Sequence, residues 1–356
     1  MLRGSIAAVI LLLASPTHAQ DKPGTIEVRD GMPFRHDHSG FAFPTELIGL
    51  KRAPGTELVK PQLDLFFSYR APDEAEEVSV YLYRVKSGSP SQWFDVSRLT
   101  VQDREAYGRK TPLSEPVTFV PPGQSRPSAL RIAWTLSEGP FRSTVLALIP
   151  MGEWLVKIRH TAKSIEAASL QRRTEAAIAA LGWPEQIVPA ADAVPVATCT
   201  DALALKGSSK PARTNGAGTL LDAMMAQMEG GGAAKKDERL TPEEGASPVQ
   251  WCRDDAVKSP LRLYRPVGTR DTYLMAASDA GLAIWVRPGM SGLLDKENAA
   301  RTWAVSVVRA GDTINYAPRD RLPLPTEIGK ILEGNATSRV STWGKATINI
   351  DAERLK

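Results

Sequence analysis

The chain has 356 residues, which is enough for two or three domains of typical size. Its composition is ordinary for a globular protein, with 42% hydrophobic and 24% charged residues. These values exclude global disorder, a collagen-like chain and a long coiled coil. The 44 basic and 40 acidic residues leave a formal charge of +4. Because the basic residues are dispersed along the chain, we predict no nucleic-acid partner.

The N-terminal segment Met1–Ala19 has the three parts of a secretory signal peptide. Arg3 makes its start positive, Ile6–Ala14 is a short apolar run, and small residues follow at the expected cleavage site. We expect cleavage after Ala19 and a periplasmic or secreted mature chain that begins at Gln20. The apolar run is about half as long as a membrane-spanning helix, so no transmembrane segment is predicted in the mature chain.

The chain contains only two cysteines, Cys199 and Cys252. An even number of cysteines in an exported protein predicts a structural disulfide. A zinc site would require further cysteine or histidine ligands close by in the sequence, and there are none.

Alternation of apolar and polar residues in the first half predicts half-buried strands. The predicted strands are 63–69, 78–82, 130–136, 143–149 and 154–160. Short turns at 137–140 and 150–152 predict that the last three strands are antiparallel neighbours. Helices are predicted over Ser91–Tyr107 and Thr161–Leu181, and both can cover one face of the sheet. The predicted fold class is therefore α+β, with an antiparallel sheet covered by helices.

The second half follows a linker at 187–195 that is rich in Pro and Ala. A helix is expected next, with an apolar stripe interpreted as core: Leu220, Leu221, Met224, Met225 and Met228. A Gly-rich, charged segment at 229–247 is expected to be a mobile loop. After Cys252 the pattern predicts strands at 262–265, 272–277, 282–287, 303–309, 313–316, 339–342 and 346–350, with a short helix over Pro325–Leu332.

These patterns predict three segments. Residues 1–19 are the signal peptide, residues 20–188 an N-terminal α+β domain, and residues 189–356 a second, β-rich α+β domain that contains the disulfide and the loop 229–247. The Pro/Ala-rich linker supports the boundary between the two domains.

Three short motifs of the first half resemble those of a family of uncharacterised exported proteobacterial proteins. They are Gly40-Phe41-Ala42-Phe43-Pro44, Gly152-Glu153-Trp154 and Trp183-Pro184. The order of elements over residues 34–184 is also similar to the PsbP-like fold. This resemblance implies a small, non-enzymatic binding or assembly module, and it transfers no active-site residue.

Three histidines remain in the mature chain, and they are the candidate metal ligands. His36 and His38, spaced two apart on a strand, would face the same side and could hold one metal ion, with His160 as a third ligand. The alternative for the first two is a solvated segment before the first strand. The alternation instead places His160 on the face of Trp154, Val156 and Ile158, as a partly buried residue without a catalytic role.

No catalytic motif emerges from the sequence. A nucleophile elbow, a Walker A loop and a zinc-protease motif are all lacking. The adjacent carboxylates Glu76 and Glu77 do not form a glycosidase pair, because neighbouring residues on a strand point to opposite faces.

The sequence therefore favours an exported, non-enzymatic binding or envelope accessory factor without a cofactor. Its partner would be a protein or small molecule of the cell envelope. The alternative function is a periplasmic metal-dependent hydrolase that uses His36, His38 and His160.

Overall fold

The computed structural model describes residues 23–29, 31–212, 216–229, 249–290 and 301–351. The predicted signal peptide and nearly all of the predicted loop 229–247 lie outside these ranges. Within them, the protein is a mixed α+β structure in which antiparallel sheets dominate, as predicted. No helix of the described ranges is long and apolar enough to cross a bilayer.

The contacts divide the chain into two compact units, called here the N-terminal and C-terminal units. The N-terminal unit comprises Asp21–Val85 and Ser89–Val196, and the C-terminal unit comprises Lys86–Gly88 and Ala197–Lys356. The predicted linker packs within the N-terminal unit, because the Ala193 amide donates to the Pro127 carbonyl and Arg126 pairs with Asp192. Independent folding of the two units stays a prediction.

The N-terminal unit has thirteen described strands and two α-helices. The strands are β1 Gly24–Ile26, β2 Phe34–Arg35, β3 Ala42–Phe43, β4 Glu46–Leu47, β5 Leu50–Arg52, β6 Gly55–Val59, β7 Asp64–Arg70, β8 Glu76–Arg84, β9 Arg109–Pro112, β10 Val117–Phe119, β11 Ala129–Ser137, β12 Ser143–Met151 and β13 Trp154–Ala162. The helices are α1 Pro90–Asp103 and α2 Ala167–Ala180.

Eleven of these strands form one sheet with the main order β1-β6-β7-β8-β13-β12-β11-β10. The turns predicted between β11, β12 and β13 do join antiparallel neighbours. The longest strands, β8, β11, β12 and β13, have nine residues each and lie in the middle of the sheet. The predicted second helix starts six residues later than expected, because β13 extends to Ala162.

The two helices cover opposite faces of the sheet, whereas the sequence suggested one shared face. Thr174 of α2 contacts His160, which places α2 on the His160 face. Tyr107, four residues after α1, bonds to Thr161, whose side chain points to the other face. Alternation reveals which residues share a face, but it does not say which helix covers that face.

Two of the three motifs that carry the family resemblance, residues 40–44 and 183–184 with the preceding Gly182, meet in the core of this unit. Ala42 and Gly182 exchange backbone hydrogen bonds, and the Phe41 ring packs edge-on against Trp183 with 5.1 Å between centroids. A Cβ atom on Gly182 would lie 2.6 Å from the Cβ of Ala42. The approach of these two segments therefore requires glycine, and the motif residues act as packing residues.

The C-terminal unit is a nine-stranded sheet in which each strand pairs with the next in the chain. The strands are β14 Ala197–Thr198, β15 Trp251–Arg253, β16 Arg262–Pro266, β17 Tyr273–Ala276, β18 Ala283–Pro288, β19 Trp303–Val308, β20 Asp312–Arg319, β21 Ala336–Ser341 and β22 Ile348–Ile350. Two helices, α3 Gly216–Glu229 and α4 Ile328–Leu332, complete the unit. The predicted strands from β16 onward and the short helix are confirmed.

The predicted disulfide between Cys199 and Cys252 is confirmed. It joins the segment after the two-residue edge strand β14 to β15, its parallel neighbour. Cys252 is buried, whereas Cys199 is only half-buried. The bridge therefore attaches the start of this unit to its sheet and is partly exposed on the Cys199 side.

The interpretation of the methionine stripe as core is wrong for two of its residues. Leu220 and Met224 are exposed on α3. The buried face of the helix instead carries Ala223 and Ala226, which pack with Val340 of β21. These small side chains allow the helix to lie close to the sheet. The larger side chains of Leu220 and Met224 point outward.

Candidate functional site

A cluster of four polar side chains lies between β13, β8 and α2, with two of them buried and an arginine at its partly exposed rim. It comprises Glu76, His160, Arg173 and Thr174, and it is called here the closed cluster. His160 Nε2 lies 2.8 Å from Glu76 Oε1, and its Nδ1 lies 2.9 Å from Thr174 Oγ1. Arg173 binds both carboxylate oxygens of Glu76, at 2.8 and 3.0 Å. The carboxylate thus joins the imidazole to a guanidinium on α2.

Burial lowers the pKa of His160, although the hydrogen bond to Glu76 opposes the shift. Burial would also raise the pKa of Glu76, but its hydrogen bonds from His160 and Arg173 lower it overall. A neutral His160 beside an ionised Glu76 carries its proton on Nε2 and accepts at Nδ1. The single hydroxyl proton of Thr174 is then shared between two acceptors, Nδ1 and the Leu170 carbonyl 2.8 Å away.

The closed cluster has the hydroxyl–imidazole–carboxylate order of a hydrolytic triad. However, Thr174 is 1% exposed and His160 is fully buried. A substrate carbonyl cannot reach the hydroxyl without displacing α2. The arrangement therefore binds α2 to the sheet and does not form an active site.

His36 and His38 lie together at the other end of β13, against Trp154. The His36 ring lies 4.6 Å from the Trp154 ring, and His38 stacks on the same indole at 6.2 Å. His36 Nε2 donates to the Gln62 carbonyl oxygen 2.9 Å away, so its Nδ1 is an acceptor for the Ser39 hydroxyl at 2.7 Å. Burial lowers the pKa of His36 to about 4.

The three histidines do not form one ligand set. Trp154 and His160 are six positions apart on one strand, which corresponds to roughly 20 Å at about 3.3 Å per residue. Both nitrogens of His36 and of His160 have protein partners, and His38 Nε2 is 3.0 Å from the Pro61 carbonyl. No group of three or more potential ligands is found among the described residues. The geometry gives no support to the predicted hydrolase centre.

The sheet face opposite α2 carries a second set of polar residues. Glu77 points to this face and Glu76 to the other, as the alternation predicts. The set is called here the polar half-face, and it is formed by side chains of β5, β7, β8 and β13 that face each other in register: Lys51, Phe66, Ser68, Arg70, Glu77, Ser79, Tyr81, Lys157 and Arg159.

The other half of the same face is apolar and is covered by α1. Arg159 is opposite Leu146 of β12, which in turn is opposite Ile132 of β11. Leu130, Trp134 and Leu148 extend this apolar surface, and all five are at most 4% exposed. Because α1 packs on β11 and β12, the face changes from a covered apolar surface to a polar one at β13.

Most charges of the polar half-face have protein partners. Glu77 accepts hydrogen bonds from Ser68 at 2.8 Å and Ser79 at 3.2 Å, and it pairs with Arg70 at 3.5 Å. Lys157 is 5% exposed, and its Nζ lies 4.7 Å from the centre of the Tyr81 ring and 5.4 Å from that of Tyr83. These contacts hold the aromatic rings and the acidic group in place.

Arg159 is one of two exceptions in this set, the other being the exposed Lys51. Its guanidinium lies 6.0 Å from the centre of the Tyr81 ring and is partly exposed. Within the part of the chain that the structure describes, it makes no ion pair or side-chain hydrogen bond, although its charge helps to lower the pKa of Glu77, whose carboxylate lies farther away. Phe66, 5.1 Å from Tyr81 between centroids, is partly exposed beside it. A cation and two aromatic rings therefore face solvent together.

Sequence reasoning did not identify this surface. Arg159 was an ordinary polar position of an alternating strand, and Tyr81 one of the polar-face residues of another. Their register becomes known only when β8 is seen to pair with β13. The one available signal was the presence of Tyr and Arg on the same alternating phase of two predicted strands.

Comparison with models of protein families finds no matching family. Comparison with curated proteins finds no matching relative. The PsbP-like resemblance of residues 34–184 therefore stays a prediction.

Proposed function

We propose that the chain is an exported binding protein of the cell envelope, that it catalyses no reaction, and that it binds through the polar half-face. The observation that carries this proposal is the guanidinium of Arg159. A partly exposed cation beside aromatic rings, with no acid at ion-pair distance among the described residues, can serve as a recognition group for an anion.

The histidines support a binding role over a hydrolytic one. The nitrogens of His36 and His160 are used by hydroxyl, carbonyl and carboxylate oxygens of the protein. A catalytic imidazole must instead present a nitrogen to its substrate. Breaking these hydrogen bonds to free an imidazole nitrogen as a general base would destabilise the fold.

Export is part of the proposal. It is supported by the tripartite pattern of Met1–Ala19 and by the disulfide, which forms in oxidising compartments. Intact mass of the protein recovered from the periplasm tests the cleavage site, because the mature chain should begin at Gln20. The PsbP-like assignment of residues 34–184 is a proposal of the same kind, supported by the packing of the motif residues against one another.

Thermal unfolding in the presence of ligands tests the binding role. A ligand that binds the folded state stabilises it by RT ln(1 + [L]/Kd), about 2.7 kcal/mol at a hundredfold excess over Kd. We expect stabilisation by at least one anionic envelope component, but not by neutral or cationic ones. The stabilisation should be lost in Arg159→Gln. If wild type and variant respond equally to every ligand, the polar half-face is not the binding surface.

A further inference from the structure

We propose that the polar half-face recognises an acidic polysaccharide, with a uronate carboxylate on Arg159 and sugar rings against Phe66 and Tyr81. This inference rests on the binding role proposed above and adds the class of ligand. Three observations lead to it: the charge of the surface, its partly exposed aromatic rings, and its position inside the sheet.

The surface has more cations than its own acids neutralise. Lys51, Arg70, Lys157 and Arg159 lie on this face with three acids, Glu46, Asp64 and Glu77. Glu77 is already used by Arg70 and by two serines. Lys51 is exposed and Arg159 partly exposed, and neither makes an ion pair or a side-chain hydrogen bond within the described ranges. A complementary ligand must therefore carry negative charge at this site.

Aromatic rings beside the cation restrict the ligand further. A pyranose ring has apolar C–H groups on its faces, which pack on aromatic side chains, and a uronate carries its carboxylate at the ring edge. Arg159 can bind that carboxylate with two parallel N–H groups, while Phe66 and Tyr81 contact the ring. One uronate unit therefore presents both groups that the surface can bind.

The position of the surface argues against two other anionic partners. Strands β7, β8 and β13 are each paired on both sides, so no free strand edge can add a peptide strand. A membrane surface requires protruding apolar anchors, and Phe66 and Tyr81 are only partly exposed. Contact of the partly exposed Arg159, Phe66 and Tyr81 with an extended chain of sugar rings fits the observed geometry better.

Equilibrium binding of oligogalacturonate to the full mature protein tests the inference. We expect binding that weakens with salt, as charge pairing requires. Arg159→Gln should raise Kd about tenfold or more, the loss of a charge-assisted hydrogen bond. Tyr81→Leu should raise Kd about threefold. Arg172→Gln, an exposed arginine of α2 whose guanidinium bonds to Ser169, is the matched control and should leave Kd unchanged.

Three further probes separate the outcomes. Methyl-esterified oligogalacturonate keeps the rings but loses the charge, and equal binding of it would overturn the role of Arg159. Polyglutamate and phosphatidylglycerol vesicles keep the charge but lack the rings. Tighter, Arg159-dependent binding of either would overturn the polysaccharide class and leave the proposed binding role intact. If no anion binds in an Arg159-dependent way, both proposals are wrong.

Unfolding midpoints of all variants are measured beside the binding data. Because Arg159→Lys keeps the charge but loses the planar fork, it should restore part of the affinity for oligogalacturonate. If Lys and Gln at this position bind equally weakly while both variants fold, the bidentate geometry is required. If both bind as tightly as wild type, the assignment of Arg159 is overturned.

Discussion

The two faces of β8 and β13 carry similar types of residue, but the residues are used differently on each face. On one face, Glu76 and His160 lie under α2 and are hydrogen-bonded to its Arg173 and Thr174. On the other, Glu77, Tyr81 and Arg159 lie beside an apolar surface that α1 covers, and Arg159 makes no direct ion pair among the described residues. The comparison shows that cover by a helix decides whether a charged group stabilises the fold or remains available to a ligand.

The adjacent acids Glu76 and Glu77 allow the largest test of this comparison. We expect Glu76→Ala to lower the free energy of unfolding by about 3 kcal/mol, because it leaves His160 and Arg173 without their buried partner. Glu77→Ala should cost about 1 kcal/mol, since the Glu77 side chain is 38% exposed against 11% for Glu76. Urea titration of the two variants measures the difference. Equal losses would show that the two faces do not differ in this way.

The disulfide provides the next largest effect and leaves both faces untouched. Replacement of both Cys199 and Cys252 by Ser should lower stability by about 2 to 4 kcal/mol, since the chain between them must then close without a covalent link. Hydrogen exchange should speed up in β15–β21 and stay unchanged in β8 and β13. The prediction fails if oxidised wild-type protein contains two free thiols under denaturing conditions.

Acid should lower the free energy of unfolding through the buried histidines. The pKa of His36 is about 4 in the folded state because burial disfavours its charge, against about 6.5 in the unfolded chain. As pH falls below 6.5, the unfolded chain therefore binds protons that the folded one does not. Stability should fall by about 2 kcal/mol between pH 7 and 5.

His36→Gln should flatten this pH dependence, and the slope that remains would report His160, whose pKa is also lowered. Urea midpoints measured from pH 7 to 5 supply both slopes. A profile that is unchanged in the variant would mean that the pKa of His36 does not differ between the folded and unfolded states.

The smallest effect on stability is expected for a substitution in the polar half-face. Because Arg159 makes no ion pair within the described residues, Arg159→Gln should change the free energy of unfolding by less than about 0.5 kcal/mol. Differential scanning calorimetry checks this value. A loss above 2 kcal/mol would reveal a structural role for the guanidinium and would contradict its assignment to ligand binding.

Much of this fold could be predicted because long strands show their alternation clearly. The five central strands of the N-terminal unit, both of its helices and the hairpins of the C-terminal unit follow from local pattern. The strands β1–β6 did not, because most have only two or three residues and are too short for a period to show. The sequence also did not predict which helix covers each face of the sheet, since this depends on packing between distant segments.

The candidate site was harder to predict for the same physical reason. His160 and Glu76 are 84 positions apart, and Tyr81 meets Arg159 through the pairing of β8 with β13. No local pattern encodes such a pair. The sequence placed His160 correctly on its face of β13. Its hydrogen-bond partners, and the lack of an ion pair at Arg159 among the described residues, become visible only with the full register of the sheet.

The pairing of β8 with β13 also has a consequence for synthesis of the chain. Strands of the C-terminal sheet each pair with the next strand to emerge, so that sheet can grow as it is made. Strand β8 ends at Arg84, and β13 begins at Trp154, 70 residues later (154 − 84). At about 5 to 20 residues per second, one side of β8 stays unpaired for roughly 4 to 14 seconds. During that interval the nascent chain exposes a nine-residue strand edge, for which a chaperone is the natural protection.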